Sequence, residues 1–205
     1  MSEIKRFPFF QAKYSLFLYI MMNRTQTDSL NSGIPRPVID VAFALMVLAA
    51  ICSYGTIHEW LYQRVPVLLG LLNTVGMVIL YFAIMRGMKS LPHPLTVLWW
   101  VAIGVNLLDF VVYCLGDAAH GFAAATATAL PLIYLPLGIL IVVWYRGRLG
   151  QVGLWMVLRI LIVNLVPVLF YVTGLLDSTW GLLAMELITI GTDIWYAWVL
   201  RRVLA

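Results

Sequence analysis

Six stretches of the chain, each roughly 17 to 24 residues long, are almost wholly apolar, and basic residues collect in every second gap between them. A hydrocarbon layer about 30 Å thick takes about 20 apolar residues per helical crossing. The pattern therefore predicts an all-α, polytopic membrane bundle of six transmembrane helices over 38–57, 65–85, 95–115, 122–145, 152–175 and 179–200. Composition agrees: 63% of the residues are hydrophobic and 11% charged. A water-soluble core cannot absorb so much apolar surface in 205 residues. The lipid bilayer is the expected partner.

Charge sets the expected orientation. Eleven of the thirteen Lys and Arg residues fall on one side of the six spans. Lys5, Arg6, Lys13, Arg24 and Arg36 precede the first span. Arg86 and Lys89 follow the second, Arg146 and Arg148 the fourth, and Arg201 and Arg202 the sixth. Basic residues are retained on the cytoplasmic side during insertion. Both termini are expected to be cytoplasmic, and the absence of targeting features fits a bacterial inner membrane. The net charge of +4 does not point to nucleic acid, because its carriers sit at membrane boundaries.

Two segments divide the chain, a cytoplasmic or interfacial one over 1–37 and the transmembrane domain over 38–205. Phe7, Phe10, Tyr14, Phe17, Leu18 and Met21 recur at helical spacing and predict an amphipathic helix lying along the membrane surface. Trp99, Trp100, Trp144, Tyr145, Trp180, Trp195 and Trp198 lie mostly near span ends, where amphipathic rings anchor to the interface. Cys52 and Cys114 fall inside apolar spans and read as small buried hydrophobes.

The informative residues are the polar ones inside the spans, because lipid makes them costly. Arg159 and Asp193 lie on consecutive antiparallel spans at a common depth of about 10 Å, which predicts a structural ion pair. Deeper, at about 16 to 21 Å, come Asn73, Asn106, Asp109, Asn164 and Glu186. Their faces are expected to turn inward as one midplane polar layer. That layer is either an interhelical hydrogen-bond network or a site for a small polar or cationic solute. Pro131, Pro136 and Pro167 interrupt spans and can help shape a cavity. Small residues at Ala123, Ala125, Ala127 and Ala129, with Gly121 before them, predict a close helix contact.

No catalytic pattern is present. There is no HExxH, no cysteine cluster, no glycine-rich phosphate loop and no intramembrane histidine, so no metal or cofactor is expected. The leading expectation is a non-enzymatic inner-membrane protein that binds or passes a small polar or cationic solute. The alternative is an accessory or assembly subunit that docks on a membrane protein partner. A lipid-acting enzyme working through Asp109 and Glu186 is the remaining alternative.

Overall fold

The computed structural model describes residues 25–27, 30–53, 55–88, 92–115 and 120–204. The amphipathic helix expected near the amino terminus lies outside these residues. Among them the chain forms seven α-helices: α1 (Arg36–Cys52), α2 (Gly55–Arg64), α3 (Pro66–Gly87), α4 (His93–Leu115), α5 (His120–Trp144), α6 (Gly147–Val172) and α7 (Thr179–Leu204). Four of them, α3, α4, α6 and α7, are long and apolar enough to cross a membrane.

Helix ends follow local chemistry. Prolines stand in the first turn of both α1 and α3, where a missing N–H costs nothing. The first apolar stretch is not one helix to residue 57. It ends at Cys52, where Ser53 caps α1 and folds its hydroxyl back on the Ala49 carbonyl at 2.6 Å. Gly55 then takes a φ of +64°, a left-handed value that glycine tolerates best, and redirects the chain into α2. α2 carries His58, Glu59 and Arg64 and is a short polar helix of 10 residues. At their far ends α6 and α7 outrun the apolar stretches, starting at Gly147 and ending at Leu204. Hydropathy reports the part of a helix in lipid, whereas backbone hydrogen bonding carries the helix on through Arg148, Arg201 and Arg202.

Six helices close a ring. Each packs on its neighbour in the order α1, α3, α4, α5, α6, α7, and α7 returns to α1, with α3 also touching α7 across the interior. Close approach is made at glycines: a Cβ on Gly138 of α5 would stand 2.8 Å from the Gly153 carbonyl of α6, and one on Gly76 of α3 would stand 2.5 Å from the Ala42 carbonyl of α1. Among the described residues these contacts bring the backbones together. Ala125 is exposed.

The fully buried core includes Leu80, Tyr81, Ile84, Leu95, Trp99, Leu137, Ile141, Leu149, Met156, Tyr196 and Leu200. Large apolar side chains elsewhere face outward, Leu165, Val168, Leu169 and Val172 of α6 among them. A contiguous apolar surface of that kind suits acyl chains and not water. Cys114 belongs to this outward set, so the expected burial holds only in part, for half-buried Cys52.

The residues before α1 strap one end of the ring. Strand β1 (Thr25–Thr27) pairs in parallel with β2 (Tyr145–Arg146), between α5 and α6. The Leu30 N–H donates to the Val203 carbonyl at 2.8 Å, and Leu30 and Ser32 cover Gly87. Arg201 pairs with Asp40 at 2.7 Å at the same end, and Arg148 Nη1 donates to the Arg202 carbonyl at 3.2 Å. The Asp40–Arg201 pair is a third or more exposed, so its contribution is small.

Candidate functional site in the bundle interior

Arg159 stands 12 residues into α6 and Asp193 11 residues from the end of α7, near both helix midpoints. Arg159 Nε donates to Asp193 Oδ1 at 2.5 Å. Side-chain exposures of 23% and 13% mark a pair sheltered but not sealed. The guanidinium also lies over the Tyr196 ring, 5.6 Å from its centroid, a contact that favours a cation with little water around it. An isolated charge at this depth would cost several kcal/mol, and pairing removes most of that.

Beside the pair, α1 and α3 bring together Ser53 and Asn73. Ser53 Oγ donates to Asn73 Oδ1 at 2.8 Å, and Asn73 Nδ2 makes a long contact of 3.4 Å to the Tyr113 hydroxyl of α4. The Ser53 hydroxyl that ends α1 thus also orients Asn73. The two polar pairs face one cavity of about 60 Å³, lined by Met46, Ala49, Ala50, Ser53, Asn73, Arg159 and Asp193. That volume holds a few waters or one small solute.

A separate polar cluster lies deeper in the core. Asn106 donates to the Ala102 carbonyl at 2.6 Å and to the Tyr134 hydroxyl of α5. The Tyr81 and Tyr196 hydroxyls share a hydrogen bond of 2.7 Å between α3 and α7. Tyr81 meets Tyr134 and Trp99 edge to face, at 5.8 and 5.7 Å. The Trp99 indole N–H donates to the Tyr81 carbonyl at 2.9 Å. Trp99 is therefore a buried core residue and not the interface anchor its position predicts, whereas Trp180 is 81% exposed. No buried side-chain nitrogen or oxygen among the described residues lacks a partner.

The five residues of the expected midplane layer do not meet. Asn73 joins the cavity and Asn106 the tyrosine cluster. Asp109 is half-buried three residues beyond Asn106 on α4. Asn164 is exposed on α6 and donates to its own helix at the Ile160 carbonyl, 2.7 Å away. Glu186 of α7 lies against Gly55, where an added Cβ would come within 3.0 Å of its Oε1. Gly55 opens α2, and the free N–H groups and positive dipole end of a helix favour a carboxylate without any basic side chain. Asp109 and Glu186 stand on α4 and α7, which are not neighbours in the ring. Helix rotation explains the dispersal. These helices are apolar on nearly every face, so depth along the axis does not fix which way a side chain turns.

Ser53, Tyr81, Tyr134 and Tyr196 carry much of the interior polarity and were not among the expected residues. Ser53 had a signal, since a serine followed by glycine two residues later is a turn pattern inside an apolar run. The tyrosines had none, because mid-span phenols read as ordinary apolar filling.

Comparison with known protein families, with characterised proteins and with solved structures finds no match. Fold and site together define a helical bundle of membrane type with a small polar cavity between α1, α3, α6 and α7.

Proposed function

We propose that the chain is a non-enzymatic integral membrane protein whose cavity binds or passes a small polar solute. One observation carries the reading: the Arg159–Asp193 pair opens on a cavity shared with Ser53 and Asn73. A buried ion pair is a poor device for stability alone, since apolar packing of the same volume does as well or better. Polar groups kept around open space inside an otherwise apolar bundle are better accounted for by a guest.

The reading includes six crossings, α1 and α3 to α7, in a bacterial inner membrane with both termini cytoplasmic. The closed ring supports it, as does the gathering of Arg148, Arg201 and Arg202 at the strapped end. α1 has 17 residues, at the short limit for a crossing.

Equilibrium dialysis of the full chain in lipid nanodiscs against a panel of small polar solutes tests the proposal. Ala50 is 3% exposed and lines the cavity, so Ala50→Leu fills the space without touching the ion pair. A solute retained by the parent and released by this variant supports the reading. Retention by neither overturns it.

A second reading, an accessory subunit, draws on Asn164. An amide on an outward face of α6 is a natural point of contact for a helix of another membrane protein. Co-purification of a stoichiometric partner from mild detergent, lost in Asn164→Leu, would favour it.

A further inference from the structure

Three tryptophans and two arginines form a ladder along the outer seam between α6 and α7. At the strapped end, Arg148 Nη1 donates to the Arg202 carbonyl at 3.2 Å and so ties the two residues across the helix pair. The Arg202 guanidinium lies 5.1 Å from the centre of the Trp198 ring. Trp198 meets Trp195 at 4.8 Å, and Trp195 meets Trp155 of α6 at 5.6 Å. Trp155 and Trp195 stand two helical turns, about 10 Å, inward of Arg148 and Arg202 on their own helices. Arg202 and Trp195 are exposed, while Arg148, Trp155 and Trp198 are half-buried. Among the described residues neither arginine enters an ion pair, and the Asp40 carboxylate at the same end is taken up by Arg201. The contacts they do make leave most of their bonding capacity: a carbonyl occupies one of the five N–H groups of Arg148, and a ring accepts no conventional hydrogen bond from Arg202.

We propose that this ladder binds an anionic phospholipid, its phosphate held by Arg148 and Arg202 and an acyl chain laid along Trp198, Trp195 and Trp155. The inference goes beyond the solute-binding reading and takes from it only the crossing of α6 and α7. Both helices are long and apolar enough for that. Guanidinium forks match phosphate oxygens, and two neighbouring cations with no acid beside them favour a headgroup of net negative charge. A zwitterionic headgroup brings its own ammonium up to the same two cations. The rings supply the second half of the argument. Tryptophans that only anchor a helix sit at the level of the headgroups, whereas this stack descends from the arginines in the direction an acyl chain takes. Free phosphate would engage the arginines and leave the stack unused.

Native mass spectrometry of the full chain in nonionic detergent tests this with phosphatidylglycerol, phosphatidylcholine and inorganic phosphate. Phosphatidylglycerol should be retained at concentrations where phosphatidylcholine and phosphate are not. Arg148→Gln combined with Arg202→Gln should weaken that retention at least about tenfold. Arg36→Gln combined with Arg86→Gln removes the same charge from exposed arginines of α1 and α3, and should leave it nearly unchanged. If the first double variant fails to fold, the exposed Arg202→Gln serves alone, with a loss of at least about threefold. Equal losses from the two double variants overturn the inference, because attraction is then spread over the whole basic end. Equal retention of the two lipids overturns it, and so does retention of neither. Phosphate that displaces phosphatidylglycerol at equal concentration also overturns it, since the arginines then form an inorganic anion site in which the rings take no part. The dialysis panel decides the solute reading separately, so either can fail without the other.

Discussion

Arg159 of α6 and Asp193 of α7 meet Nε to Oδ1 at 2.5 Å, and the guanidinium rests at the same time on the Tyr196 ring one helical turn from its partner acid. Removing one member leaves the other charge stranded. Arg159→Met or Asp193→Leu alone should cost about 3 to 5 kcal/mol. The double substitution should recover most of that loss, since the stranded charge is gone. Unfolding in mixed detergent micelles measures all three variants. Additive losses in the double variant would show that the pair is not the unit of stability.

Tyr81 and Tyr196 are both fully buried and hydrogen-bonded to each other. Each single Tyr→Phe change removes one hydroxyl and leaves its partner unsatisfied, at a cost of about 1 to 3 kcal/mol. Changing both should cost no more than the worse single variant. The same unfolding measurement gives the coupling, and strict additivity would contradict a shared bond.

Gly55 has φ +64° and the Glu186 carboxylate against it. Gly55→Ala meets two penalties, the left-handed backbone at about 1 to 2 kcal/mol and a Cβ contact of 3.0 Å to Glu186 Oε1. Adding Glu186→Ala should relieve the contact and not the backbone strain. Partial rescue in the double variant is the expected melting-temperature pattern, and full rescue or none would show that only one penalty operates.

Asn164 and Asn106 contrast two amides on apolar helices. Asn164 is exposed and bonded to its own helix, while Asn106 is buried and ties α4 to α5. Asn164→Leu should shift stability by no more than about 0.5 kcal/mol, whereas Asn106→Leu removes the buried bond to the Tyr134 hydroxyl and should cost about 1 kcal/mol or more. Comparable losses from the two variants would mean that Asn164 also faces a protein surface.

How much of this is legible in the chain depends on which coordinate is asked for. Position along the helix axes is written in the residues. Apolar runs place the helices of the bundle, alternating basic gaps align their ends, and Arg159 and Asp193 can be matched because consecutive antiparallel helices of known start share a depth. Rotation about each helix axis is not written there. Asn73 and Asn164 look alike in sequence, an amide inside an apolar helix, yet one lines the cavity and the other faces outward. On a soluble helix a polar face would tell them apart, but helices covered by lipid are apolar all round.

The sequence by itself determined the helical content, the presence of helices long and apolar enough to cross a membrane, and which residues would be expensive to leave alone. Only the tertiary structure decided that α1 stops at Cys52, that Glu186 answers to the start of α2, and that a cavity forms around Ser53, Asn73, Arg159 and Asp193. The reason is physical. Transfer into lipid is a sum over residues and can be read one residue at a time, whereas the facing of side chains is settled by packing between helices far apart in the chain, at glycine contacts such as Gly138 with Gly153.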